Sequence, residues 1–322
     1  MKILVTGGAG YIGSHVVKAL KGEDLVVLDN LSTGHKLAVL HGELVVGDIG
    51  DEALLENLFT KHKFESVLHF AGSIVVPESV SDPLKYYQNN TINSHKLLRM
   101  CVKHGVKHFI FSSTAAVYGM PEDGVCTEES ALRPINPYGH SKLMTEQMLW
   151  DTCKASSLKA IALRYFNVAG ADPDGQLGQS FPKATHLIKV ASEAAVGKRK
   201  YMEVYGTDYP TPDGTCVRDY IHVSDLAAAH VCALKALRAG SFQGPINCGY
   251  GRGFSVKEVV ERVKTLSGVN FDVKTSGRRP GDPASLTAKV DRIREKLGWV
   301  PLFNDLDIII KNALNWEKIK KF

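Results

Sequence analysis

Of the eleven tyrosines in this chain, only Tyr138 is followed by a lysine four positions on, in Tyr138-Gly139-His140-Ser141-Lys142. On a helix, side chains at i and i+4 are neighbours, so this spacing sets an ammonium beside a phenol. An aliphatic alcohol gives up hydride only as its hydroxyl proton leaves, and a base must act in concert. Bringing a phenol from its ordinary value near 10 to about 6–7 takes roughly 4–5 kcal/mol. A cation about 4 Å away supplies about 4 kcal/mol at an effective dielectric near 20. Alone, such a pair is usually an exposed helix face with a snorkelling lysine.

What raises it is the chain's beginning, Ile3-Leu4-Val5-Thr6-Gly7-Gly8-Ala9-Gly10-Tyr11-Ile12-Gly13. Gly8-x-Gly10-x-x-Gly13 and Gly7-x-x-Gly10-x-x-Gly13 both match dinucleotide-loop spacings, and spacing alone does not separate them. The run follows a strand pattern and opens a helix pattern, where glycines let backbone N–H groups approach a pyrophosphate at the helix N-terminus. Sixteen residues after Gly13 comes Asp29, placed to accept from an adenosine ribose or simply to end a strand. Asn30, Leu31, Ser32 and Thr33 follow, and Lys36 is the first base, so a 2′-phosphate would meet a carboxylate without an arginine. NAD is therefore expected rather than NADP. The positive charge of its oxidised ring would assist Lys142 in making Tyr138 a phenolate near neutrality, and Lys142 could also bond the nicotinamide ribose. Asp48 is a weaker candidate, for adenine contact or for a helix N-cap.

Phe111-Ser112-Ser113-Thr114-Ala115-Ala116-Val117-Tyr118-Gly119 leaves a strand at the same edge, where a hydroxyl can bridge the base and a substrate oxygen, though serines there also simply form turns. The elements that must position these groups are readable from periodicity. Lys2–Thr6, 25–28, Glu43–Val46, 66–70, 107–112 and 159–164 read as near-continuously apolar strands, as parallel strands covered on both faces should be. Helix patterns at 11–20, 52–60, 89–103 and 138–155 alternate with them. The fold class expected is α/β: a Rossmann-type doubly wound parallel sheet with a smaller α+β carboxy-terminal substrate domain. Residues 1–166 are read as the cofactor domain and 167–322 as the substrate domain, with about 215–240 packing back onto the first. The stretch 167–181, rich in Gly, Asp and Pro, reads as a functional loop.

With 322 residues, 44% hydrophobic and 23% charged, the composition is that of a globular protein of about two domains. The net charge of +5 comes without a basic run, so no nucleic-acid partner is expected. No stretch reaches the roughly 18 apolar residues of a membrane span, and Met1-Lys2 running straight into a strand leads us to expect no cleaved signal. Six scattered cysteines without a C-x-x-C pair suit reduced thiols, and a cytoplasmic location is expected. No metal site is expected.

The motifs Thr6–His15, Ser112–Gly119, Asn136-Pro-Tyr-Gly-His-Ser-Lys142, Leu163-Arg-Tyr-Phe-Asn167, Gly214–Val223 and Arg278-Arg-Pro-Gly-Asp282 resemble the extended short-chain dehydrogenase/reductase superfamily and, within it, the UDP-galactose (UDP-glucose) 4-epimerases. The resemblance runs nearly end to end, and its last three motifs are the most specific. It implies an isomerase that oxidises a UDP-hexose at C4 with NAD, lets the 4-keto sugar turn over, and returns hydride to the opposite face. It implies Tyr138 as base and acid, Lys142 as its electrostatic partner and Thr114 as the hydroxyl on the sugar O4. For NAD it implies Gly7, Gly10, Tyr11, Ile12, Gly13, Asp29, Asn30, Leu31, Ser32, Thr33, Gly34, Asp48, Ile49, Phe70, Ala71, Gly72, Ser73, Asn89, Tyr138, Lys142 and Phe166. For the UDP-sugar it implies Asn167, Tyr205, Arg218, Arg279 and Asp282 besides Thr114 and Tyr138. A homodimer through the 89–103 and 138–155 helices is likewise implied.

Four departures stand out against that resemblance. Thr114 replaces a commoner serine, and Lys189 stands where proline is common. The Phe70–Ile74 stretch lacks a lysine that some members carry beside the cofactor, so a weaker hold on NAD is expected. Leu286 lies where members vary with their tolerance of N-acetyl sugars. Sister 4,6-dehydratases and UDP-glucuronate decarboxylases carry an acid where this chain has Ala115 and Ala116, and an elimination would lack its acid and base here. Epimerases of UDP-N-acetylglucosamine, UDP-glucuronate or UDP-xylose share the chemistry and stay open as alternatives. A non-catalytic NAD-binding protein would need neither Tyr138 nor Lys142.

Overall fold

The computed structural model describes residues 1–279 and 282–322; Pro280 and Gly281 of the Arg278–Asp282 motif lie outside the described residues. In chain order the elements begin β1 (Lys2–Thr6), α1 (Tyr11–Ala19), β2 (Asp24–Asp29), β3 (Glu43–Val46), α2 (Glu52–His62), β4 (Ser66–His69), α3 (Val76–Ser81) and α4 (Pro83–Tyr86). A π-helical turn (Tyr87–Ile92) leads into α5 (Asn93–Lys103), then β5 (His108–Thr114), β6 (Val125–Cys126), α6 (Pro137–Ala155), β7 (Lys159–Tyr165) and β8 (Asn167–Ala169). The second half holds α7 (Leu187–Ala195), β9 (Tyr201–Tyr205), β10 (Val217–His222), α8 (Val223–Ala239), β11 (Gly244–Cys248), β12 (Gly253–Ser255) and α9 (Val256–Ser267). It closes with β13 (Asp272–Ser276), β14 (Ser285–Ala288), α10 (Asp291–Leu297) and α11 (Leu306–Ile319).

Seven parallel strands form the main sheet in the order β11-β7-β5-β4-β1-β2-β3. The chain winds outward from β1 to β3, then restarts at β4 on the other side, so the switch point falls between β1 and β4, where ligands of such sheets bind. Each inner strand is apolar on both faces: Ile3, Val5, Leu68 and Ile110 belong to one core and Leu4, Val67, Phe109 and Phe111 to the other. This is the doubly wound sheet expected from the strand patterns. The sheet has one strand more than that reading assigned, because β11 lies beyond the break in rhythm and joins the edge beside β7. A second layer joins β12, β10, β14 and β6 with β8, and β9 pairs with β13. β6 is contributed from within the first half of the chain, through Val125 and Cys126.

The expected continuous helix at 89–103 is interrupted by the π-helical turn at Tyr87–Ile92. The Asn90 carbonyl there accepts from the Ser94 and Thr145 hydroxyls. Polar residues compete with the backbone for its hydrogen bonds, and periodicity does not register that competition.

His15, His69, His222 and His230 are buried, and burial lowers each, to about 4, 3, 3 and 4 respectively. They are neutral in the fold but protonate below about 6.5 once unfolded. Their contribution to stability is complete above that value and falls with pH below it, by about 1.4 kcal/mol per unit for each group. The midpoint of thermal unfolding is therefore expected to hold between pH 7 and 8 and to drop steeply from pH 6.5 to 4.5, as calorimetry would show.

Candidate active site

Gly7 adopts φ +71°, and a Cβ there would sit 2.5 Å from the Ala71 backbone nitrogen after β4. A Cβ on Gly13 would meet the Gly7 carbonyl at 2.3 Å. A Cβ on Gly8 would meet Val27 Cγ1 at 2.6 Å and one on Gly10 the Gly7 carbonyl at 3.3 Å, so both spacings contain crowded glycines, and Gly7 alone among them has a positive φ. Gly10 begins α1 without a side-chain cap, and the first turn carries no acidic residue. Its free amides and dipole suit a pyrophosphate. Tyr11 donates its hydroxyl to the Gly170 carbonyl at 2.7 Å, joining this helix to the loop after β8, and Ile12 packs on the core.

Asp29 closes β2 with one oxygen accepting from the Ala9 amide (2.9 Å) and the other from the Leu31 amide (2.8 Å). Burial raises its pKa, while these amides pull the other way. Leu31 is held at φ +57°, a strained conformation of the kind that concentrates at ligand sites. Asn30 accepts from the Ser32 amide and donates to Asp48, Thr33 is exposed, and Gly34 lies against the Ala9 backbone. Asp48 does not cap a helix. Asp51 caps α2, and Asp48 instead accepts from the Gly50 amide, Asn30 and Asn93, while neighbouring Ile49 is buried. Phe70 and Ala71 both donate their amides to the Thr6 carbonyl, which bends the chain after β4 across the switch point.

A Cβ on Gly72 would meet Asn90 Oδ1 at 3.1 Å and Lys142 Nζ at 3.4 Å, so this residue brings the strap after β4 up to the lysine. Asn89 donates to the Ser73 hydroxyl at 2.9 Å. The neighbouring Asn90 does more: it accepts from the Ser73 amide (2.7 Å) and donates to the Ser73 carbonyl and the Ser141 hydroxyl (both 3.0 Å). Sequence reasoning missed Asn90, because nothing in its surroundings distinguishes it from Asn89. Phe166, between β7 and β8, is buried in the core.

Asn136 caps α6 through the Gly139 amide and so aims the first turn at the carboxyl edge of the sheet. Tyr138 is half-buried there, with the Tyr86 ring edge-on at 6.5 Å. Burial raises the phenol above its ordinary value, and the Thr114 hydroxyl works against that rise. Lys142 is buried and donates to the Ser112 carbonyl at 3.0 Å, its ammonium over the Phe111 ring. Burial pulls its pKa down to about 8, with Glu146 opposing. The protein's own groups leave Tyr138 protonated at pH 7, with Lys142 hydrogen-bonded to strand β5; the expectation of a phenolate concerns Lys142 acting together with an oxidised cofactor ring.

The substrate candidates are paired two by two. Arg218 on β10 meets Asp282 at 3.5 Å, and the Arg279 guanidinium lies 3.7 Å over the Tyr205 ring. Tyr205 also donates to Glu203. Asn167 stands apart on β8, opposite Tyr220, lining a cavity of about 20 Å³ with Gln179, His186 and Lys189. Lys189 is buried between Glu317 (2.7 Å) and Glu193 (2.8 Å), which offset its charge. No group of three or more His, Cys, Asp or Glu suited to a metal occurs among the described residues.

A family model described as the NAD dependent epimerase/dehydratase family matches residues 3–249. The chain belongs to this family. It is 56% identical to a UDP-glucose 4-epimerase of Azospirillum brasilense over 320 residues, 98% of this chain and 92% of the relative. A crystal structure of UDP-glucose 4-epimerase from Brucella ovis in complex with NAD matches with TM-score 0.93 and 48% identity over 97% of both chains. One from Bifidobacterium longum in complex with NAD+ and UDP matches with TM-score 0.93 and 39% identity over 99% of both.

Proposed function

We propose that this protein is an NAD-dependent isomerase that interconverts UDP-glucose and UDP-galactose at C4 of the hexose. The observation that carries the reading is the meeting of Tyr138, Thr114 and Lys142 with the Gly7–Gly13 loop at one switch point of the sheet. The 56% identity to a UDP-glucose 4-epimerase over nearly the whole chain supports it.

The glycine loop, Asp29 and the free amides of α1 fit NAD, a fit supported by a first turn of α1 that carries no acidic residue and no side-chain cap. Bound NAD supplies a reversible hydride acceptor and a positive charge beside Tyr138. Tyr138 takes the C4 hydroxyl proton and later returns it, Thr114 holds the sugar oxygen, and Lys142 orients the ribose and favours the phenolate. Arg218 and Arg279 suit the diphosphate because a guanidinium can bind its oxygens in a fork. Affinity residing in the nucleotide half leaves the hexose free to turn over between oxidation and reduction.

Residues 1–166 and 167–322 serve as the cofactor and substrate parts in this reading. Support for 215–240 folding back comes from α8, which contributes His230 against Phe70 at 4.9 Å between ring centres. A homodimer through α5 and α6 is favoured by their exposed Val102 and Met144, and by a cavity of about 400 Å³ that both helices line. Sedimentation analysis would read a mass near 70 kDa, about twice 35.2 kDa. Six free cysteines and the lack of any described helix long and apolar enough to cross a membrane accord with a cytoplasmic location.

Product analysis after separate incubation with UDP-glucose, UDP-N-acetylglucosamine and UDP-glucuronate tests the function. Conversion of UDP-glucose to UDP-galactose is expected. Turnover of UDP-glucuronate alone would overturn the reading. The N-acetyl arm reports on Leu286, which is buried in register with Arg218.

A further inference from the structure

Tyr138, Lys142 and Glu146 form an i, i+4, i+8 series along one face of α6. Glu146 is fully buried. Its carboxylate accepts from Arg164 Nε at 3.0 and 3.2 Å and from Arg164 Nη2 at 2.6 Å, and from the Ser113 hydroxyl. Arg164, on β7, is only 2% exposed and leans onto Tyr118, whose hydroxyl accepts from Nη1 at 3.1 Å. A buried ion pair is weak evidence of stability, since apolar residues of the same volume would often serve as well. Its position invites another explanation. The two residues that precede Thr114 are each bound from this helix face: Ser112 through its carbonyl by Lys142, and Ser113 through its hydroxyl by Glu146.

We propose that Glu146 is a positioning residue for the reaction, holding Lys142 as an ammonium, and the end of β5 in place, where the cofactor and Tyr138 meet. This rests on the reading of Tyr138 and Lys142 given above. The groups packed around Lys142 leave Glu146 as the source of favourable charge. From β5 come the Phe111 ring and the Ser112 carbonyl, from the strap after β4 comes Gly72, and from β4 comes His69, which burial and Lys142 keep neutral. From α6 itself come Tyr138, still protonated at neutral pH, and Glu146. Arg164 presents its charge to Glu146 and Tyr118. Buried with only these neighbours, Lys142 sits near the point of losing its proton in the working pH range. Removal of the carboxylate tips it over.

Two variants test this: Glu146→Gln, and Glu146→Leu with Arg164→Met, which removes the buried ion pair as a whole, leaves no stranded Arg164 charge and so stays foldable. Two readouts are used. One is the pH profile of UDP-glucose conversion, and the other is ¹³C NMR titration of Lys142 Cε, assigned by its loss in Lys142→Met. Both variants are expected to shift the alkaline limb and the Lys142 titration down by about one pH unit. At pH 7 the protonated share of Lys142 would then fall from about nine-tenths to about half. Glu146→Asp should restore most of the shift. Lowered melting temperature with the Lys142 titration unmoved in the double variant would overturn the proposal and make the pair purely structural. The NMR titration needs no sugar, so a failure of the epimerase reading would show separately, as absent conversion with a shifted titration.

Discussion

Tyr138→Phe is expected to lose interconversion of UDP-glucose and UDP-galactose by about 10²–10⁴-fold, the range that a positioned proton-transfer group supplies. The phenol stands beside Thr114 with its ring against Tyr86, and the substitution removes one oxygen while keeping the packing. NAD affinity, measured by calorimetry, should stay within about twofold, since the glycine loop and Asp29 carry that binding through other elements. Conversion at the wild-type rate would refute Tyr138 as the base. The pH profile carries the complementary information. Burial holds the phenol above its ordinary value in the protein itself, so the acid limb should track cofactor loading rather than buffer pH alone.

Arg218→Leu is expected to raise KM for the UDP-sugar by about 30–1,000-fold, equivalent to roughly 2–4 kcal/mol for a charge-assisted contact to a diphosphate. Its side chain is 11% exposed, ordered by the Val217 carbonyl (2.8 Å) and by Asp282. A leucine fills similar volume on β10, so the fold should persist. Because the arginine is assigned to the nucleotide half and not to C4, kcat should fall by less than about fivefold, the signature of uniform binding. A lowered kcat with KM unmoved would place Arg218 outside the substrate site. The pairing of Arg218 with Asp282 also predicts some recovery by high salt, absent from Tyr138→Phe.

Much of this arrangement was legible before any coordinates. Apolar runs at Lys2–Thr6 and Glu43–Val46 have the bounds that periodicity suggests, the first as an inner parallel strand buried on both faces and the second as an edge strand with Glu43 and Val46 exposed. The helix over Val256–Ser267 opens on a capping box of Ser255 and Glu258 and closes at Gly268 in the left-handed region, signals that lie within a few residues of chain. β11 was not foreseen, since Gly244–Cys248 is a short strand bounded by turn residues and its partner is eighty residues away. The π-helical turn escaped notice for a similar reason: its cause is a set of hydroxyls from α5 and α6 that compete for one carbonyl.

What the sequence determined by itself was a set of short-range relations: the phenol–ammonium spacing on α6, the glycine loop between a strand and a helix, and a carboxylate at the end of β2. Those follow from helix pitch and backbone sterics, which act over a few residues. The tertiary structure alone decided how closely the glycine loop packs on the chain after β4, through the approach of Ala71 to Gly7. It also decided that Lys142 donates a hydrogen bond to a strand carbonyl rather than facing Tyr138 alone, and that Glu146 and Arg164 lie buried behind them. These outcomes depend on desolvation and on contacts between residues far apart in the chain, whose energies are set by what surrounds a group rather than by its neighbours in sequence.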